Sequence, residues 1–199
     1  MGGMMTAEKA TDWSRWSIPP DEGYTVDDLL TLDLPPHTEL IDGSFVFMAP
    51  QRSFHSLMID HLVQSLRAAC PDRLRVRREM VVKLSDQTAL EPDVLVVKAD
   101  RAGDHDLVIY GSDDVVLAVE TMSPSSRERD RDTKPHKYAG VGVPYFWRIE
   151  QDGDQRYVGY TYELDRQDGR DRPTGTHVNR LTIDRPFPVD IDLTEVDRL

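Results

Sequence analysis

Two short apolar runs constrain the fold of this chain more than any other feature of its sequence. Val94 to Val97 and Val115 to Val119 consist of apolar residues alone, without the alternation of a half-exposed strand. Such runs are typical of central strands that are covered on both faces of a sheet. An acid borders each run, since Asp93 precedes the first and Glu120 follows the second. We therefore expect two buried strands that carry carboxylates at their ends.

Helix and hairpin signals precede these runs. Thr25, with Asp28 three residues later, predicts a short helix that begins with an imperfect capping box. Asp42-Gly43 lies between two alternating segments and predicts a β-hairpin. Ser53 predicts the N-cap of a longer helix, whose apolar residues recur at helical spacing as far as Ala69.

The rest of the chain is predicted to contain several strands and one more helix. Arg73 to Leu84 alternates between apolar and mostly basic residues, which predicts a single half-exposed strand with a basic face. Pro135 is tolerated in the first turn of a helix, so a helix is predicted within residues 132–142. The remaining predicted strands are Tyr145 to Ile149, Arg156 to Leu164, His177 to Ile183 and Phe187 to Ile191.

The order of these elements predicts the fold class. A hairpin, a helix, strands, a helix and further antiparallel strands indicate an α/β fold with a mixed sheet. Residues 1–22 are polar, interrupted by proline and aperiodic, so we predict a flexible N-terminal arm. Residues 23–199 are then predicted to form a single domain, which a chain of 199 residues with 39% hydrophobic residues can support.

The composition excludes several classes of protein. Cys70 is the one cysteine, which rules out an internal disulfide and a zinc site built from cysteines. No apolar run approaches the roughly 20 residues that a membrane helix requires. The N-terminal segment lacks the apolar region of a secretory signal. We therefore expect a cytoplasmic protein that has no membrane partner.

The two acidic strand ends suggest a chemistry. If the strands are neighbours, Asp93 and Glu120 form a carboxylate pair, which is unfavourable unless a cation or hydrogen-bond donors compensate it. Oxygen ligands from two acids, completed by water, suit Mg²⁺, for which Mn²⁺ is the expected substitute. A nearby lysine could orient an attacking water and stabilise charge on a phosphate. The pair therefore predicts a metal site that supports phosphodiester hydrolysis.

Several motifs carry a family resemblance. Pro92-Asp93, followed by an acid at the end of the next core strand, resembles the PD-(D/E)XK nuclease superfamily. A closer resemblance, to the Uma-type restriction endonuclease family, extends from about residue 24 to residue 192. The segments that carry it are Glu39-Leu40-Ile41-Asp42-Gly43, Met48-Ala49-Pro50, His55, Glu120 to Ser126, Asp130, Lys134, Tyr138 and Gly142 to Trp147.

The resemblance implies a restriction-endonuclease-like core, Mg²⁺ dependence and DNA as the substrate class. The superfamily places its lysine two residues after the acid, where this chain has Met122. The family takes its lysine from the following helix, which by position is Lys134, with Lys137 one turn further on. By the same match, Glu39 is a further acidic ligand or orients water, and His55 contacts phosphate or orients a carboxylate. A homodimer fits the resemblance, because many such nucleases cut both strands.

Each candidate residue also has an ordinary structural interpretation. Asp93 could be capped by backbone donors at the start of its strand, and His55 could be a hydrogen-bonded core histidine. Lys134 could be a solvated charge. The arginines that alternate with acids in residues 127–131 are more typical of a self-paired exposed loop than of a DNA clamp.

The charge of the chain keeps two alternatives open. The formal net charge is −12 and the pI is about 4.9, whereas proteins that hold nucleic acid by phosphate neutralisation are usually basic. Basic residues gather at 73–83 and 127–137, which predicts a locally positive groove with weak, salt-sensitive binding. One alternative to an endonuclease is a catalytically inactive nuclease-fold module that binds DNA or protein. The other is an oligomeric interaction protein without a nucleic-acid role.

Overall fold

A computed structural model describes residues 13–122, 129–153, 156–165 and 167–199. Within these residues the α-helices are α1 (Val26–Thr31), α2 (Ser53–Ala69) and α3 (Lys134–Gly140). The strands are β1 (Thr38–Ile41), β2 (Ser44–Phe47), β3 (Leu74–Arg78), β4 (Val81–Ser85), β5 (Thr88–Leu90), β6 (Val94–Lys98), β7 (Ile109–Gly111), β8 (Val115–Thr121), β9 (Tyr145–Gln151), β10 (Tyr157–Asp165), β11 (Arg170–Val178), β12 (Arg180–Ile183) and β13 (Val189–Asp192). None of the described helices is long and apolar enough to cross a lipid bilayer.

The described strands form three sheets. The largest has six strands in the order β11-β10-β9-β8-β6-β3, and its one parallel pair is β8 with β9. A five-stranded sheet has the order β2-β1-β5-β4-β7, and β12 pairs with β13. The predicted α/β fold with a mixed sheet is therefore confirmed.

Both apolar runs form interior strands of the six-stranded sheet, β6 and β8. Every residue of Val94–Val97 is 0% exposed. Val94 and Val96 face α2, and they pack with its buried residues Met58 and Leu62. The opposite face packs with residues of α3 and of the five-stranded sheet. Burial on both faces explains why neither run alternates, as the sequence predicted.

The pairing of β6 with β8 decides where the acids lie. These strands are antiparallel neighbours, with Val94 opposite Val119. The start of β6 is therefore beside the end of β8, which confirms the proximity that a carboxylate pair requires.

The predicted caps and turns are mostly confirmed. Thr25 and Asp28 form a reciprocal capping box at the start of α1. Asp42 and Gly43 join β1 to β2, and their φ angles of 49° and 76° suit a two-residue hairpin turn. The predicted role of Ser53 as N-cap is wrong, because Ser53 is the first residue of α2 and the cap position is Arg52, without a side-chain hydrogen bond.

Two predicted strands are wrong because the backbone turns inside them. Arg73 to Leu84 is divided between β3 and β4, which belong to different sheets, and Glu79 at the break has a φ of 48°. His177 to Ile183 is divided between β11 and β12 by Asn179, which has a φ of 60°. A left-handed residue interrupts the regular pleat of a strand, so each alternating segment changes sheet at that point.

The predicted N-terminal arm is described in part. Residues 1–12 lie outside the described residues, and Trp13–Trp16 form a short 3₁₀-helix. The Trp16 ring packs edge-on against Tyr24, with ring centroids 6.2 Å apart. Tyr24 in turn stacks on Phe45 of β2 at 4.2 Å.

Candidate functional site

The site lies where the start of β6 meets the end of β8. Asp93 immediately precedes β6 and is 7% exposed, and Glu120 is the penultimate residue of β8 and is 3% exposed. The Asp93 Oδ2 atom accepts a hydrogen bond of 2.5 Å from the backbone N–H of Thr121. Asp93 Oδ1 lies 3.0 Å from Nε2 of His55 in the first turn of α2. Asp93 therefore connects β8 to α2 while remaining beside Glu120.

Lys134, the first residue of α3, enters the site from the opposite face of the sheet. Its Nζ atom lies 2.9 Å from Glu120 Oε2 and 3.0 Å from Glu39 Oε1. Its side chain is 2% exposed. An ammonium group at this depth requires anionic partners, because burial of an isolated charge is very unfavourable. The interpretation of Lys134 as a solvated charge is therefore wrong.

Glu39 lies on β1, which belongs to the five-stranded sheet. Glu39 is 1% exposed, and its Oε1 atom also accepts a hydrogen bond of 3.0 Å from the backbone N–H of Glu91. Its Oε2 atom is buried without a hydrogen-bond partner among the described residues. A buried carboxylate oxygen in this condition can accept a further donor or a cation.

Tyr138 contributes to the family resemblance, but the sequence analysis did not assign it to the site. Its hydroxyl donates to Glu120 Oε1 at 3.3 Å, and the side chain is completely buried. Burial, with the charges of Glu120 and Glu39, raises the pKa of Tyr138 well above its usual value, so the hydroxyl keeps its proton. The sequence signal was its position four residues after Lys134, which places both side chains on one helical face.

His55 lies in the first turn of α2 and is 6% exposed. Burial is the largest influence on its pKa and lowers it; Glu79 opposes this effect, and Arg78 and Lys134 lower the pKa further. Burial favours the neutral imidazole, and its Nε2 atom lies within contact distance of Asp93 but without hydrogen-bond geometry among the described residues. The contact fits the predicted orientation of a carboxylate.

Lys137 is not brought to the carboxylates. Its ammonium pairs with Asp42 in the β1–β2 turn, and its side chain is 26% exposed. Three residues beyond Lys134 on α3, it is rotated away from the buried side of the helix. The predicted alternative, in which Lys137 replaces Lys134, does not agree with this placement.

Ser123 to Ser126 and Arg127 lie outside the described residues, as do the side chains of Arg129 and Asp130. Met122, at the usual lysine position of the superfamily, is 7% exposed. It is an apolar residue beside the site.

The donor set is compatible with Mg²⁺. Asp93, Glu120 and Glu39 offer carboxylate oxygens, the ligands that this ion prefers, and Glu39 Oε2 is buried and unsatisfied among the described residues. In the described part of the chain, no three or more His, Cys, Asp or Glu side chains are arranged as a metal centre. The ammonium of Lys134 lies between Glu39 and Glu120 instead. An ion at Asp93 and Glu120 would therefore need water or substrate as further ligands.

The fold defines a restriction-endonuclease-like protein of the α/β class. A family model described as "Uma2: Putative restriction endonuclease" matches residues 26–194, which is most of the chain. The chain belongs to this family.

A solved structure is similar in fold. It is described as a putative nuclease belonging to DUF820 from Anabaena variabilis, and it superposes with a TM-score of 0.66 at 17% sequence identity. The alignment covers 86% of this chain and 98% of the other. A comparison with curated proteins found no match.

Proposed function

We propose that this protein is a Mg²⁺-dependent endonuclease that hydrolyses phosphodiester bonds in DNA. One observation carries the proposal: a buried lysine contacts Glu120 at 2.9 Å, at the strand ends where Asp93 also lies. Family membership supports nuclease function in general terms. The arrangement combines acidic ligands with a cation that can act on water and phosphate, which is what metal-assisted hydrolysis requires.

Asp93 and Glu120 would hold the metal ion. When bound, Mg²⁺ supplies Lewis-acid polarisation of the phosphate and neutralises its charge. The contact with His55 and the hydrogen bond from Thr121 fix the carboxylate plane of Asp93. Tyr138 does the same for Glu120 from the helix side. Such supporting contacts orient ligands and strengthen binding.

Lys134 would act on the water and on the phosphate. Its ammonium can orient the attacking oxygen and stabilise the charge that develops on phosphate. Glu39 holds Lys134 together with Glu120, so the lysine is fixed by two acids before substrate arrives. The five-stranded sheet, which carries Glu39, would therefore contribute to the proposed activity by holding Lys134 in place.

The test is cleavage of plasmid and single-stranded DNA by purified protein with Mg²⁺, Mn²⁺ or EDTA. We expect metal-dependent cleavage that falls by a factor of about 100 or more in Asp93→Asn. Asp190→Asn is the matched control, because Asp190 is exposed and pairs with Arg180 on the small β12–β13 sheet. Full activity in a folded Asp93→Asn variant would contradict the assignment of Asp93 as a metal ligand of the nuclease site.

A second candidate is a catalytically inactive module that binds DNA or protein. The observation that favours it is that Lys134 already compensates two carboxylates, so the site is stable without a metal ion. Met122, at the usual lysine position of the superfamily, also favours an inactive module. DNA binding without cleavage in any divalent metal would favour this candidate over the enzyme.

A further inference from the structure

A second charged cluster adjoins the carboxylate–lysine site. Arg131, Arg148 and Glu150, here called the arginine cluster, meet on the same face of the six-stranded sheet. Arg131 contacts both oxygens of Glu150, with Nη2 at 2.6 Å and Nε at 3.2 Å. Arg148 Nε lies 2.6 Å from Glu150 Oε1. Two guanidinium groups therefore share one carboxylate.

The register of the sheet places this cluster beside the site. Arg148 on β9 is the direct partner of Glu120 on β8, so their side chains project from the same face. Neighbouring strands lie about 4.8 Å apart, so the two side chains start within one strand spacing. Arg131 precedes Lys134 by three residues. The cluster thus extends the row of charged groups away from Asp93.

The charges within the cluster do not cancel. Glu150 is 3% exposed and Arg148 is 7% exposed, whereas the Arg131 side chain is 49% exposed, and one anion faces two cations, which leaves one positive charge unbalanced within the cluster. A single arginine would satisfy Glu150 if the contact served only to anchor the chain before α3. Arg148 is the buried cation and requires the buried Glu150, so the surplus positive charge can lie on the half-exposed Arg131, where an added anion can compensate it. The Arg148 guanidinium also stacks on the Tyr160 ring at 4.6 Å, which holds it in the plane of the cluster.

One member of the cluster is accessible. The Arg131 side chain is 49% exposed, while the carboxylate that it holds is buried. A guanidinium that is fixed on one side and open on the other can offer its remaining donors to an oxyanion. Phosphate suits this geometry, because guanidinium donors match its oxygens in a bidentate contact.

We infer that the arginine cluster binds a backbone phosphate of the nucleic acid next to the bond that the site would cleave. The inference rests on the proposed function for the identity of the ligand. Arg131 is the contacting residue, and Arg148 and Glu150 position it. In a chain of net charge −12, such a local cationic group would hold the substrate strand against the acidic site.

The experiment is fluorescence anisotropy of a labelled DNA oligonucleotide across a salt titration, with Ca²⁺ in place of Mg²⁺. We expect Arg131→Gln to weaken binding about 10-fold at low salt and to reduce the salt slope by about one. Glu150→Gln keeps an oxygen that can accept from Arg131 but removes the negative charge, so we expect about 3-fold tighter binding and a steeper slope. In cleavage assays, Arg131→Gln should raise KM by a larger factor than it lowers kcat.

Arg180→Gln is the matched control. Arg180 also makes a bidentate contact with a carboxylate, Asp190, with both distances at 2.7 Å, and its side chain is 58% exposed, but it lies on β12. This variant should bind DNA like wild type. If Arg131→Gln does not fold, Glu150→Gln decides the question, since loss of a merely structural contact does not tighten binding.

The outcomes of these experiments distinguish the proposed endonuclease activity from the proposed phosphate binding by the arginine cluster. Arg131-dependent binding without cleavage supports the arginine cluster and overturns the enzyme assignment. Cleavage with unchanged binding in both Arg131→Gln and Glu150→Gln overturns the cluster and leaves the enzyme. A wild-type protein that binds no DNA at low salt overturns both.

Discussion

At the scale of single residues, Lys134 determines whether the acidic site can exist without a metal ion. It is buried between Glu39 and Glu120, at 3.0 and 2.9 Å. Removing one member of a buried ion pair leaves an uncompensated charge, which typically costs about 3–5 kcal/mol. The same residue is therefore expected to affect both folding and chemistry.

We expect Lys134→Met to lower the free energy of unfolding by about 3 kcal/mol or more. Mg²⁺ should recover part of this loss, because an added cation compensates the carboxylates that the lysine leaves. Thermal unfolding with and without Mg²⁺ measures both effects. Lys83→Met is the control, since Lys83 is 44% exposed and pairs with the exposed Asp86. Equal melting temperatures for wild type and Lys134→Met would contradict the prediction.

Tyr138→Phe tests the support of Glu120. The change deletes one hydroxyl and leaves the ring that stacks on Phe146 at 5.7 Å. We expect a loss of about 1 kcal/mol in stability and a higher Mg²⁺ concentration for half-maximal cleavage. Tyr162→Phe is the control, because its ring also contacts Phe146, at 5.8 Å. An unchanged Mg²⁺ dependence would limit Tyr138 to a packing role.

Asp171 supplies a test of stability against pH. Burial raises the pKa of Asp171 from 3.8 to about 6. The folded state therefore binds a proton more tightly than the unfolded state, and the contribution of this group to stability improves as pH falls from about 6 to about 4. At pH 7 its ionised form is unfavourable.

We expect Asp171→Asn to stabilise the protein at pH 7 by about 1 kcal/mol, after allowance for solvent screening of a partly exposed side chain. The gain should disappear near pH 4, where wild-type Asp171 is protonated in the folded state. Urea unfolding at both pH values measures the difference. Asp190→Asn is the control, because Arg180 lowers the pKa of Asp190 and no gain is expected there.

At the scale of elements, the connection between β11 and β12 depends on one residue. Asn179 has a φ of 60°, and its side-chain oxygen accepts a hydrogen bond of 2.8 Å from the backbone N–H of Tyr157. We expect Asn179→Ala to lower the free energy of unfolding by about 2 kcal/mol, and Asn179→Gly by less, since glycine tolerates the left-handed conformation. Chemical denaturation of the two variants gives the comparison. Equal losses would assign the whole effect to the hydrogen bond.

The elements that could be predicted well from sequence are those whose structure depends on burial of the element itself or on contacts within a few residues. The two apolar runs become β6 and β8 because both of their faces are covered, and Thr25 caps α1 through contacts within one turn. β11 was mostly missed because it is largely exposed and contains Pro173, so it carries no apolar periodicity. The breaks at Glu79 and Asn179 were missed because neither position is a glycine.

The candidate site, like the fold, could be predicted from sequence only where its cause is local. The proximity of Asp93 and Glu120 could be predicted because acids at the ends of buried strands are unusual, and the resemblance indicated Lys134 as the nearby lysine. Which lysine reaches the acids depends on the rotation of α3 about its axis, which packing between distant segments decides. The arginine cluster depends on the pairing of β8 with β9, and a single sequence does not show strand partners.

At the scale of the whole molecule, charge limits how the protein can hold DNA. The chain has 36 acidic and 24 basic residues, so binding must depend on a few local cations. With about two phosphates neutralised, affinity should fall about 10-fold between about 50 and 200 mM salt. Anisotropy across this range checks the slope. A much steeper dependence would indicate a wider cationic surface than the arginine cluster and Lys134.

A homodimer is proposed for an enzyme that cuts both strands. A dimer should convert supercoiled plasmid to linear product with little nicked intermediate, whereas a monomer should accumulate nicked circles first. Light scattering should then give twice the chain mass of 22.7 kDa. A monomeric mass together with direct linear product would contradict the link between assembly and double-strand cutting.

The origin of Glu39 in the five-stranded sheet has a consequence during biosynthesis. Glu120 lies on β8 of the six-stranded sheet and Glu39 on β1 of the five-stranded sheet, so Lys134 is held between these two acids only after the sheets have docked. A nascent or partly unfolded chain would present the carboxylates and the lysine apart. The arrangement of lysine and acids at this site would therefore be complete only when folding is complete.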